Sequence, residues 1–128
     1  MKRNHFLIIT ALLAWAFGLM FVLAPDALVN NLAASSPAGW SNLSLNLAAM
    51  FFAVGFINLF SSGDPGSKAL KAVMMGNILL HLASEGFDIY NYSKGYVEIS
   101  SIMTGSIVHI ALLIGFINYL VKIPKTQS

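Results

Sequence analysis

Four residues of one segment hold most of the chain's chemical potential. Asn77, His81, Glu85 and Asp88 recur at i, i+4, i+8 and i+11. On a helix advancing 100° per residue they fall within about 80° of one another. They form one polar seam on an otherwise apolar helix, with Ser84 in the turn between His81 and Glu85. At 1.5 Å per residue, Glu85 stands about 6 Å along the axis from His81. A second imidazole, His109, lies in the middle of the next apolar run, with Ile102 and Gly105 on its face. The two histidines are expected at similar depth. Asn46 in the second apolar run and Ser106 in the fourth could join them. His5 reads as an interfacial residue.

Three uses of this cluster compete. It could be a hydrogen-bonded network that fixes helix register, with Glu85 neutral or paired to His81 or His109. It could hold the polar head of a lipophilic molecule (a quinone, a sterol or a lipid) while apolar walls hold the body. Or it could ligate a metal through His81, Glu85 and His109, or a haem through the two imidazoles. A proton or ion pathway is a further use of the same groups. No cofactor is expected on the first reading. A Ser-His-acid set can be drawn from Ser84, His109 and Asp88, but no spacing singles it out. G-x-S-x-G, P-loop and H-E-x-x-H motifs are absent. No catalytic residue is assigned, and a non-enzymatic role is expected.

The elements that position these groups follow from composition. The chain has 128 residues, 57% hydrophobic and 9% charged, with mean hydropathy +0.75. A soluble domain carries roughly 25% charged residues, and a short chain cannot bury this much apolar surface in one water-facing globule. These values exclude an ordinary soluble domain, a disordered tail and a nucleic-acid binder. With no cysteine, disulfides, thiolate metal sites and cysteine nucleophiles are excluded too. A bilayer core of about 30 Å needs about 20 apolar residues per helix. Four runs qualify, at about 6–24, 43–60, 72–90 and 99–121, all continuous rather than alternating. The fold class is therefore all-α, a four-helix transmembrane bundle in a single integral membrane domain.

Loop charge sets the orientation. Lys2 and Arg3, Lys68 and Lys71, and Lys122 and Lys125 fall on one side of a four-span layout, and Lys94 alone on the other. Both termini are then cytoplasmic, with a bacterial inner membrane as the expected location. The first run, followed by Pro25, is longer than a signal-peptide core and is read as an uncleaved span. In the first outer loop, 26–34 is a candidate interfacial helix. Trp40, Tyr90, Tyr92 and Tyr96 are candidate headgroup anchors.

Gly55-Phe56-Ile57-Asn58 recurs sixty residues on as Gly115-Phe116-Ile117-Asn118, which suggests a duplicated helical hairpin. Ala14 with Gly18, Ala49 with Ala53 and Ala72 with Gly76 are small-residue pairs suited to close helix packing. The nine phenylalanines and six methionines suit a lipid-facing surface or a partner surface within the bilayer.

The layout of four spans, the first ending in Ala24-Pro25-Asp26 before a long outer loop, resembles the small bacterial DoxX-like membrane proteins. The segment His81-Leu82-Ala83-Ser84-Glu85, followed by Tyr90 and Gly95, resembles the His-x-x-Ser-Glu segment of the sterol-synthesis scaffold family of the endoplasmic reticulum. That resemblance implies four spans and a role in tethering membrane enzymes. It extends only to His81, Ser84 and Glu85, since Asp88 and His109 lie outside the pattern. The expected function is thus a non-enzymatic accessory or scaffold protein. Its expected partners are membrane lipids and either another membrane protein or further copies of itself. A lipophilic-ligand, haem or metal protein is the alternative.

Overall fold

The computed structural model describes residues 1–24 and 37–124, and the side chains of the second helix from residue 44 onward. Four helices carry the described chain: α1 (Arg3–Leu23), α2 (Pro37–Ser61), α3 (Lys68–Ser93) and α4 (Ile99–Leu120). There is no strand among the described residues. The candidate interfacial helix at 26–34, the Trp40 side chain and Lys125 lie outside the described residues.

Each helix covers the apolar run expected of it, and the differences are at the ends. α2 begins at Pro37, six residues before the apolar run at 43. Proline suits a first helical turn, where its missing N–H leaves no bond unmade. α3 starts four residues early because its turn is a built cap. Asp64 Oδ1 accepts hydrogen bonds from the backbone N–H groups of Gly66 and Ser67, both at 2.8 Å. Ser67 Oγ accepts one from Leu70 N–H at 3.1 Å as N-cap. Gly66 has φ +144°, a backbone angle that a side chain would strain. α3 ends in a Schellman turn: Gly95 N–H donates to Tyr92 O and Tyr96 N–H to Asn91 O, with Gly95 at φ +70°.

α1, the part of α2 from Ser44 onward, and α4 are long and apolar enough to cross a membrane. α3 does not join them, although the sequence treats it as a span. It is long enough, at 26 residues. Its apolar character is diluted by the seam of Asn77, His81, Glu85 and Asp88.

The chain divides into two compact units, Met1–Gly63 and Asp64–Ser128. In the first, α1 packs on α2. Phe6, Leu7, Ala11, Ala14 and Gly18 of α1 are buried, as are Ser44, Ala48, Gly55 and Asn58 of α2. Glycine makes this packing close. A Cβ on Gly18 would stand 3.2 Å from the Phe52 ring, and one on Gly55 would overlap the Trp15 indole. Stacked Phe17, Phe51 and Phe21 fill one end, with centroids 5.5–5.7 Å apart. The Trp15 ring meets Phe56 edge-on at 5.0 Å. The polar groups here close onto backbone: Trp15 Nε1 donates to Phe52 O, Ser44 Oγ to Phe21 O and Thr10 Oγ1 to Leu7 O.

In the second unit, α3 packs on α4. Its core is Leu70, Met74, Asn77 and His81 with Phe116 and Ile123. Lys71 Nζ donates to the Pro124 carbonyl at 2.8 Å, joining the start of α3 to the end of the described chain.

The proposed small-residue pairs behave differently from one another. Ala14 and Gly18 are buried against α2, as expected. Ala49, Ala53, Ala72 and Gly76 are all exposed, and a Cβ on Gly76 would meet nothing within 4 Å. Those two pairs sit on outward faces of their helices.

Candidate functional site

The site grows from the register of α3 on α4. His81 stands twelve residues before the end of α3, and His109 ten residues after the start of α4. In an antiparallel pair joined by the tight turn at Gly95, those offsets put the imidazoles about 18 and 15 Å from the same end. They meet: the two Nδ1 atoms are 2.8 Å apart, with ring centroids at 5.1 Å and planes tilted by 50°. His81 is 7% exposed and stacks on Phe116 at 5.7 Å. Phe116 is seven residues beyond His109, two turns along the same stripe of α4, and fully buried. The i, i+7 spacing from His109 is the sequence signal that marks it.

A 2.8 Å contact between two Nδ1 atoms fixes a proton arrangement. One ring donates through Nδ1–H and the other accepts at Nδ1. With both rings neutral, one histidine is therefore the Nδ1–H tautomer and the other the Nε2–H tautomer. The pair keeps one donor and one acceptor at its Nε2 atoms for any further partner.

The rest of the seam divides. Asn77 is buried, and its Nδ2 donates to Val73 O within α3 at 2.9 Å. Ser84, at the seam's edge, donates to Leu80 O in the same helix at 3.0 Å. Asp88 is half-buried, nearer the turn. Glu85 is half-buried, and its Oε1 is shut off from solvent with no hydrogen-bond partner. Asn46, on α2, is exposed, and Ser106 of α4 is half-buried.

This geometry can be tested against a metal. An imidazole nitrogen binds zinc at about 2.0–2.1 Å in tetrahedral geometry, so two Nδ1 ligands of one ion would stand about 3.3 Å apart. At 2.8 Å they share a hydrogen instead. Among the described residues, no three His, Asp or Glu side chains gather closely enough to hold a metal ion. The two Nδ1 atoms therefore do not hold a single ion between them. The hydrogen-bonded network has the pair at its centre, without Glu85.

No known protein family, no curated protein and no solved structure matches this chain. The DoxX-like and scaffold-family resemblances therefore rest on helix layout and on the segment His81–Glu85 alone.

Proposed function

We propose that this chain is a four-span integral membrane protein, a helical bundle with both termini cytoplasmic in a bacterial inner membrane. In this reading it acts without catalysis, as an accessory or scaffold packing beside other membrane proteins. The observation that carries the reading is the apolar surface on every helix. Leu12 and Leu19 of α1, Met50 and Phe60 of α2, Leu79 and Phe87 of α3, and Ile107 and Ile114 of α4 are all exposed. Apolar surface of that extent needs lipid or protein cover. The exposed Ala49, Ala53, Ala72 and Gly76 would let a neighbouring backbone come close. The resemblances to DoxX-like and scaffold proteins point the same way. Crosslinking in native membranes, followed by extraction in mild detergent, tests the proposal. It predicts a reproducible companion, either another membrane protein or a second copy. A lone monomer under every mild condition would overturn it.

A second reading is favoured by the solitary Glu85 Oε1. The seam of Asn77, His81, Glu85 and His109 would receive the polar end of a lipophilic ligand, while the apolar faces of α3 and α4 hold its body. Comparing the lipids bound to the purified protein with those bound to His81→Ala tests it. An unchanged set would contradict it.

A further inference from the structure

His109 and Phe116 of α4 both touch His81, and at about 100° per residue Ile102 and Gly105 fall on the same stripe of α4. Gly105 lies one turn closer to the connecting turn than His109, as Glu85 lies one turn closer than His81. The antiparallel register thus sets Gly105 and Glu85 at one level. A Cβ added to Gly105 would meet no atom within 4 Å. A residue on the packing stripe with open space before it marks a gap between the helices. At the same level sits a carboxylate oxygen that is closed to solvent and lacks a partner. A buried acceptor without a donor is rare in folded proteins and points to a missing group. That donor does not come from the helices around it. α4 has no Lys or Arg anywhere, and α3 has none between Lys71 and Lys94. The imidazole Nδ1 atoms are already engaged with each other.

We propose that the gap at Glu85 and Gly105 binds the hydroxyl end of a lipophilic alcohol, with the alcohol O–H donating to Glu85 Oε1. This rests on the ligand reading above and names the atom and the ligand class. A hydroxyl fits better than a carbonyl because it can donate to a carboxyl oxygen and can also accept, whereas a carbonyl only accepts. The Nε2 atoms of the histidine pair offer one further donor and one further acceptor, which a hydroxyl can match from either side. Ile102, the next residue of that stripe towards the turn, carries no polar group, so the rest of the ligand needs none there.

The test uses the full-length protein in lipid nanodiscs and a long-chain alcohol carrying a diazirine, beside the methyl ether of the same molecule. The alcohol should label peptides from the Glu85 region of α3 and the Gly105 region of α4. The ether should label them about tenfold less, the ratio that one net hydrogen bond supplies. Unlabelled alcohol should compete with the probe on the wild-type protein, where no variant has to fold. Gly105→Leu, which fills the gap and leaves every polar group in place, should abolish the labelling. Gly63→Leu, in the exposed turn before α3, should leave it unchanged. Equal labelling by alcohol and ether at this level would overturn the hydroxyl site yet leave a lipophilic ligand in place. No specific labelling of α3 or α4 by either probe would overturn both. Labelling that survives Gly105→Leu in a protein of unchanged helicity would place the ligand elsewhere.

Discussion

The two hairpins solve the same packing problem with opposite materials. In the first, α1 and α2 close on glycine, alanine and stacked rings around the buried Asn58, and Thr10, Trp15 and Ser44 each donate to a backbone carbonyl. In the second, α3 and α4 meet through side chains that can exchange protons or accept ligands: an imidazole pair, a buried amide and a carboxylate oxygen with no partner. The repeated tetrapeptide makes the contrast concrete. In the first copy Gly55 and Asn58 are buried while Phe56 and Ile57 are exposed. In the second copy Phe116 is buried and Asn118 exposed. The packed edge of the motif has turned by about a third of a revolution. The same four residues serve a close helix approach in one hairpin and a floor for His81 in the other. Sequence similarity between the halves therefore does not carry over to equivalent contacts.

The largest expected effect comes from that floor. Phe116→Ala removes a fully buried ring and the surface on which His81 stacks. A water-surrounded core would lose about 3–5 kcal/mol. Lipid adds little hydrophobic drive between helices, so about 2–3 kcal/mol is expected here. Thermal unfolding in detergent would show it, and a near-neutral result would mean that the second hairpin is not held by this stripe.

Glycine sharpens the comparison next. Gly55→Ala forces a Cβ into the Trp15 indole and to 3.1 Å from the Ala11 carbonyl. The expected loss is about 1–3 kcal/mol, the usual range for overpacking. Gly105→Ala enters open space and should raise stability by about 0.5–1 kcal/mol, the usual gain of alanine over glycine inside a helix. Equal effects at both positions, read by the same unfolding measurement, would erase the proposed difference between a tight hairpin and one with a gap.

The histidine coupling is expected to be smaller than the loss at Phe116 or Gly55. His81→Phe and His109→Phe each leave the partner ring without its Nδ1 bond, whereas the double variant leaves none unmade. A double-mutant cycle should return about 1 kcal/mol of coupling, typical of an interhelical side-chain bond in a bilayer. Strict additivity would mean that the Nδ1 contact contributes nothing.

Much of this arrangement was legible in the sequence for definite reasons. The break between α2 and α3 is legible in Asp64-Pro65-Gly66, residues whose turn chemistry has few alternatives. The meeting of His81 and His109 followed from their similar positions along two apolar runs. What could not be read was which face of each helix packs. A helix that is apolar all round gives periodicity nothing to select. Ala14–Gly18 therefore looked no different from Ala49–Ala53 or Ala72–Gly76, although only the first pair is covered by its own hairpin. Ser84, at the edge of the seam, had a competing carbonyl within its own helix, and that bond is the one it makes. Asn46 showed the right height but gave no sign of its facing, and it is exposed.

The central claim is that α3, despite its polar seam, crosses the bilayer so that the histidine pair faces a neighbouring helix inside it. The chain has no native cysteine, so single cysteines can be placed by Lys68→Cys and Lys94→Cys at the two ends of α3 and labelled in intact cells with a membrane-impermeant maleimide. The account predicts labelling from outside at position 94 alone, with position 68 reached only after the membrane is opened. Labelling of both positions from the same side would contradict it, and the seam would then be a wet surface.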